Sequence, residues 1–339
     1  MSDATATEPS VIATRRGRIG HMLLNRPKSL NALDSAMLHT MTAALIEWRD
    51  DPSVQAVVVE GAGGRAFCAG GDIRAIRAFA MAGQHDKVSE FFSTEYALNA
   101  MIDEYSKPYI SIIDGVCMGG GIGLSVHGDM RVTSEASLFA MPETGIALFP
   151  DVGATFMLPR LPGALGMYLG LTGARLNGAD AVHAGLATHF VPKAEIATLA
   201  DAIAEDGPAA VAARAQSLPP FSLAPHRATI DRCFGQDSVA AIEAALQAEG
   251  TEWAKEALHG LHHGSPSAVM WSFEAMRRGA RLSLRGALAA ELALTRAVSV
   301  HPEFHEGVRA MLVDKDRTPK WQPAHLADVD QAAIQALFA

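Results

Sequence analysis

The chain has 339 residues, 49% of them hydrophobic and 19% charged, with a net charge of −9 at pH 7. That balance is globular rather than disordered, and the acidic surplus argues against a surface built for nucleic acid or an anionic membrane. Three cysteines, Cys68, Cys117 and Cys233, form neither a disulfide framework nor a CxxC pair. With the polar start MSDATATEPS and no apolar run of about 18 residues, they predict a cytoplasmic protein.

Residues 1–10 read as a tail. SVIATRRGRIGHMLLN predicts two short strands around Arg16-Gly17-Arg18, and Asp34 is a suitable N-cap for the amphipathic SAMLHTMTAALIEWRDD. VQAVVVEGA reads as a buried strand. KPYISIIDGVCMGG repeats the plan, with a strand, a glycine turn and then a helix-compatible segment. DMRVTSEASLFAM reads as a third strand pair. This alternation argues for an α/β fold over residues 11–216. The Pro-rich SLPPFSLAPHR then acts as connector to a helical region, 217–339, whose segments carry apolar residues at three- and four-residue spacing. Ser265-Pro266 and Ser283 are predicted helix starts.

Two glycine turns, RAFCAGGDI (65–73) and GVCMGGGIGLSVHGD (115–129), each follow a strand. Small residues there either permit tight packing or let backbone N–H groups face a ligand. Two such turns facing each other would make an oxyanion hole, each donor contributing about 10²–10³ in rate. The segment FAMPETGIALFPDVGATFMLPRL raises a related question, because Glu143 and Asp151 stand in almost wholly apolar surroundings. Either they staple loops, or they meet in a cleft where burial and mutual repulsion separate their proton affinities.

Taken together, RAFCAGGDI, GVCMGGGIGL and PETGIALFPDVGATFMLPRL resemble the crotonase (enoyl-CoA hydratase/isomerase) superfamily, and most closely its 3-hydroxyisobutyryl-CoA hydrolase branch. LNRPKSLNAL, EYALN, KPYISIIDG, SPSAVMWSFEAM and EGVRAMLVDKDRTPKW extend the likeness over about residues 10–325. The resemblance implies a crotonase-like spiral of ββα repeats with a helical C-terminal region. It further implies oxyanion donors at Gly71 and Gly120, an active-site acid at Glu143, and a substrate-binding Glu95 with Gly70 beside the first donor. Hydratases of the superfamily carry a second glutamate where this chain has Gly123, and a glycine where it has Asp151. The hydrolase branch has this same exchange.

The resemblance therefore implies hydrolysis of a short 3-hydroxyacyl-CoA, with Glu143 as base or nucleophile and Asp151 orienting the hydroxyl or water. A hydratase or isomerase, and a non-catalytic acyl-CoA binder, are the competing readings. Coenzyme A would come as part of the substrate, with no separate cofactor and no metal. The superfamily's trimers suggest a homo-oligomer, whereas the longer helical tail could instead fold back on its own subunit. Arg74, Arg77 and Lys315 are the candidate contacts to anionic CoA. Cys68 reads as a buried apolar residue, His127 as packing behind the second turn, and His259, His262 and His263 as helix-surface groups.

Overall fold

The computed structural model describes residues 8–338, so most of the tail expected at 1–10 lies outside the described residues. Strand β1 (Val11–Arg16) and β2 (Ile19–Leu24) form the expected hairpin, paired from Val11–Leu24 to Arg16–Ile19. Helix α1 (Ser35–Asp50) starts as the sequence predicts, with Asp34 accepting the Met37 N–H at 2.9 Å. That bond satisfies one of the unpaired amides of the first turn. The helix buries Met37, Met41, Leu45 and Trp48 against the sheet.

The remaining strands are β3 (Ala56–Gly61), β4 (Ala66–Cys68), β5 (Tyr109–Ile113), β6 (Val116–Met118), β7 (Met130–Thr133), β8 (Leu138–Ala140), β9 (Leu176–Asn177) and β10 (His189–Phe190). They sort into a six-stranded sheet, β1-β2-β3-β5-β7-β10, and a four-stranded sheet, β4-β6-β8-β9. Beyond the hairpin and the β8–β9 pair, every pairing is parallel. The chain thus gives one strand to each sheet per turn and returns through a helix, which is a spiral of ββα units. β5 and the first four residues of β3 are buried without alternation and rich in valine and isoleucine, as strands covered on both faces are.

One expectation needs correcting here. The segment 129–141 holds two strands, but they do not pair with each other, because β7 joins the large sheet and β8 the small one. The turn between them is pinned by Ser134, donating to Asp114 at 2.7 Å, and Ser137, donating to the Ile113 carbonyl at 2.6 Å.

Helices α2 (Ile73–Met81), α3 (His85–Asp103) and α4 (Gly120–Val126) follow the glycine turns or lie between them. From residue 227 to 313 the chain is mainly helical. Ser265 caps Pro266–Gly279 and Ser283 caps Leu284–Val298, as predicted, with N–H contacts of 3.0 and 3.2 Å. The stretch 238–263 is two helices, Val239–Glu249 and Glu252–His263, parted at Gly250 with φ +63°. Helix Leu284–Val298 packs along α3, and one apolar cluster runs from Met22 and Phe139 to Ile230, Leu261 and Phe304. Among the described residues no helix is long and apolar enough to cross a membrane.

Candidate active site

Leu33 builds the first half of the site. Its N–H donates to the Gly70 carbonyl and its own carbonyl accepts from Asp72, both at 2.8 Å, which brackets Gly71 and leaves the Gly71 amide without a backbone partner. Gly70 has φ +98°, a conformation open to glycine and strained for other residues. Arg26 braces this turn from below, pairing with Asp72 at 3.0 Å and with Asp34 at 3.4 Å.

The second half is the start of α4. Gly119, at φ +48° and ψ −121°, swings the chain so that Gly120 opens the helix with its amide unused by the helical ladder. The two turns meet: a Cβ placed on Gly70 would lie 3.4 Å from the Gly120 nitrogen, and one on Gly120 would lie 3.4 Å from the Gly71 nitrogen. Two free N–H groups therefore flank one small space, the geometry an oxyanion requires.

Three buried carboxyls close in on that space. Glu143 begins the 3-10 turn Glu143–Ile146, and its Oε1 would be 2.8 Å from a Cβ on Gly119. Glu95, on α3, lies against Gly120. Glu95 Oε1 and Glu143 Oε2 have no hydrogen-bond partner, which is costly unless a ligand or solvent uses them. Asp151 accepts from the Tyr96 hydroxyl at 2.6 Å.

Burial, then the nearby Asp151 charge, pushes Glu95 and Glu143 well above the usual carboxylate range. Burial also raises Asp151, to about 6, with the Tyr96 hydroxyl pulling the other way. The charge at neutral pH therefore rests first on Asp151. This separation of proton affinities was expected for the Glu143–Asp151 pair, and Glu95 extends it to three groups.

A cavity of about 1060 Å³ holds all of this. Its lining includes every candidate residue: Gly70, Gly71, Glu95, Gly120, Glu143, Asp151, Arg74, Arg77 and Lys315. Lys28 and Arg175, unremarked in the sequence, add two more cations to the wall. Arg77 also has a structural duty, donating from Nε to the His305 carbonyl at 2.8 Å. The carboxyls are buried whereas Arg74, Lys28, Arg175 and Lys315 are exposed, so negative charge sits at the floor and positive charge at the mouth. Such a cavity suits a ligand with an anionic head and a reactive carbonyl at its far end.

Sequence reasoning passed over Tyr96, although it adjoins Glu95 in EYALN, and Glu291, which reaches in from helix Leu284–Val298. The Glu291 carboxyl accepts from the Gly153 N–H at 2.7 Å and the Thr155 N–H at 3.0 Å, clamping the turn that carries Asp151. His127 supports the same turn through Val152, its Nε2 lying 2.8 Å from that carbonyl. Cys68 is fully buried and its thiol is pushed up to about 12, so it is no thiolate nucleophile. His262 pairs with Glu243 at 2.7 Å on the surface, and His263 contributes to the cavity wall. Among the described residues no three His, Cys, Asp or Glu groups gather as a metal site would need.

These carboxyls make stability depend on pH in an unusual direction. The folded state keeps protons that the unfolded chain releases between about pH 4 and 5. Stability is full below those unfolded values and falls as pH rises through the folded ones, about 6 for Asp151 and about 8 for Glu291. Melting followed from pH 5 to 8.5 is expected to drop by several degrees, these two groups together contributing on the order of 5 kcal/mol. A melting temperature that climbs over that window contradicts these shifts.

The fold is a spiral of ββα units whose cavity gathers two free amides and three buried acids. The model of the enoyl-CoA hydratase/isomerase family matches residues 19–338, and the chain belongs to that family. It is 43% identical to the 3-hydroxyisobutyryl-CoA hydrolase, mitochondrial, of Xenopus tropicalis, an alignment spanning 100% of this chain and 91% of the relative. The human protein of that name is 41% identical over 100% and 90%. Among solved structures, a carnitinyl-CoA dehydratase from Mycobacterium thermoresistibile superposes with TM-score 0.93 at 44% identity, covering 97% of this chain and 96% of that one. An enoyl-CoA hydratase from Rhodobacter sphaeroides does so with TM-score 0.92 at 39% identity, covering 97% of each.

Proposed function

We propose that the protein hydrolyses a short 3-hydroxyacyl-CoA, with 3-hydroxyisobutyryl-CoA as its substrate and 3-hydroxyisobutyrate and CoA as products. The observation that carries the reading is at Gly123. A Cβ there would stand 2.6 Å from Val152 Cβ and 3.1 Å from Asn99 Nδ2, so the chain has no room for the second glutamate of a hydratase. Asp151, next to that Val152, supplies a second acid to the cavity instead. The hydrolase names of the two full-length relatives agree with this, and the hydratase and dehydratase names of the two solved structures do not.

In this reading the thioester oxygen accepts from Gly71 and Gly120, and the amides stabilise the oxyanion as the carbonyl carbon becomes tetrahedral. A proton passing from Glu143 to ionised Asp151 frees Glu143 for one of two roles. It either deprotonates the water that attacks the carbon, or attacks the carbon itself and forms an anhydride that water hydrolyses once the sulphur has left. The C–S bond then breaks, and the sulphur leaves with a proton returned from the acid pair. Glu95 accepts from the substrate hydroxyl, and Arg74, Arg77 and Lys315 receive the CoA phosphates. Coenzyme A enters as part of the substrate, so the chemistry calls on no separate cofactor.

Thiol release from 3-hydroxyisobutyryl-CoA, read with a disulfide reagent, tests the reading. Loss of crotonyl-CoA absorbance without free thiol overturns it in favour of hydration, and binding with neither signal overturns it in favour of a carrier. A single turnover in ¹⁸O water separates the two roles of Glu143, because only direct attack leaves label in the protein. The cytoplasmic location and a homo-oligomer are also proposals. The first rests on composition while the named relatives are mitochondrial, and fractionation with light scattering decides both.

A further inference from the structure

Behind Asp151 runs a line of buried hydroxyls that the proposed chemistry has not used. Asp151 Oδ2 is 2.6 Å from the Tyr96 hydroxyl, which is 3.0 Å from Thr295 Oγ1, which is 2.8 Å from the Glu291 main-chain carbonyl one helical turn earlier. Asp151, Tyr96 and Thr295 are all buried. Burial and the neighbouring acids hold the Tyr96 phenol well above its ordinary range, so it stays a hydroxyl.

Counting protons along this line separates its two states. Tyr96 and Thr295 bring two hydroxyl protons to three contacts. When Asp151 is ionised, Tyr96 donates to it and the single Thr295 hydroxyl proton serves the Glu291 carbonyl or Tyr96 but not both, so one of the three contacts lacks a proton. When Asp151 carries a proton, it donates to Tyr96, Tyr96 donates to Thr295, and Thr295 donates to the carbonyl. All three contacts are then filled, with no heavy atom displaced.

We propose that Tyr96 and Thr295 form a reversible hydroxyl relay that lets Asp151 take up and give back a proton during turnover without repacking. Both are positioning residues, since they act through Asp151. The inference rests on the reading of Asp151 as the proton carrier of the hydrolase. Other ionisable groups near Asp151 are Glu95 from α3, Glu143 from the 3-10 turn and Glu291 from helix Leu284–Val298, while His127, just past α4, reaches only the neighbouring Val152 carbonyl. None of these is a lysine or arginine, so the Tyr96 hydroxyl and the Asp151 main-chain N–H are the groups that favour the ionised carboxyl.

The two hydroxyls carry opposite expectations. Tyr96→Phe removes the donor to the ionised form, a charge-assisted bond, and favours protonated Asp151. Thr295→Val removes the acceptor that the protonated form needs, and favours the ionised one. In pH profiles of thiol-release kcat/KM, the acid limb is expected to rise by about one unit in Tyr96→Phe and to fall by about half a unit in Thr295→Val. Thr295→Ser keeps the hydroxyl and should keep the wild-type profile.

The same displacements are expected in ¹³C-aspartate NMR of the unliganded full chain, with the Asp151 signal assigned by Asp151→Asn. That readout needs no turnover: NMR shifts without thiol release leave the relay standing and overturn the hydrolase reading. Thiol release without opposite shifts overturns the relay. So does a uniform loss in Tyr96→Phe at every pH with the limb unmoved. If Tyr96→Phe does not fold, the threonine pair decides alone, and a Thr295→Val limb that rises or stays fixed sinks the relay.

Discussion

Glu143→Gln is expected to lower kcat for thiol release by about 10²–10⁴-fold, the usual range for losing a positioned general base or nucleophile. Inhibition by free CoA should stay within a small factor of wild type, because Arg74, Arg77 and Lys315 at the cavity mouth are untouched. The substitution is nearly isosteric. It also replaces a carboxyl whose burial opposes ionisation with a group that cannot ionise, so melting above pH 7 should hold or rise. A loss of activity without a loss of stability is the pattern that separates a reacting acid from a loop staple. Normal turnover in this variant removes Glu143 from the chemistry, and a collapse of melting assigns it to the fold instead.

The opposite result would be expected of Glu291, although it too is a buried carboxyl close to Asp151. Its oxygens are committed to the Gly153 and Thr155 amides, whereas Glu143 Oε2 and Glu95 Oε1 have no partner. Buried polar atoms in a stable protein are almost always paired. The unpaired pair of oxygens, lying beside two unpaired amides, marks where the chain forgoes stability to leave room for a ligand. Burial alone does not distinguish these acids. Hydrogen-bond accounting does.

That accounting also explains what the sequence could and could not reveal. Local signals were legible: Asp34, Ser265 and Ser283 cap the helices their spacing predicts, and Gly17 turns the first hairpin. The glycine turns and the two acids in PETGIALFPDVGA were legible because small residues and isolated charges are rare in apolar segments. Pairing was less so, since β7 and β8 adjoin in sequence yet enter different sheets through a side-chain-pinned turn. Long-range support was not legible at all. Thr295 and Glu291 reach the Asp151 turn from about 140 residues away, and nothing in ELALTRAV reports it.

Gly123→Glu, which restores the hydratase-type glutamate, should fail as a gain of function and destabilise the protein by about 4 kcal/mol or more. The first added carbon would meet Val152 Cβ at 2.6 Å, Val152 Cγ2 at 2.9 Å and Asn99 Nδ2 at 3.1 Å, and the rest of the side chain would bring a carboxyl into the same closed space. A helix gains up to about 1 kcal/mol on losing an internal glycine, too little to offset the clash. Val152 is itself held at φ +54°, a left-handed conformation unfavourable for a β-branched residue. Val152→Gly in the same background therefore relieves both the contact and the backbone, and should recover part of the lost melting temperature. Calorimetry of the single and double variants, with crotonyl-CoA hydration assayed beside thiol release, reads the outcome. A stable single variant that hydrates crotonyl-CoA would mean that the wall formed by Val152 and Asn99 is not what divides this chain from a hydratase.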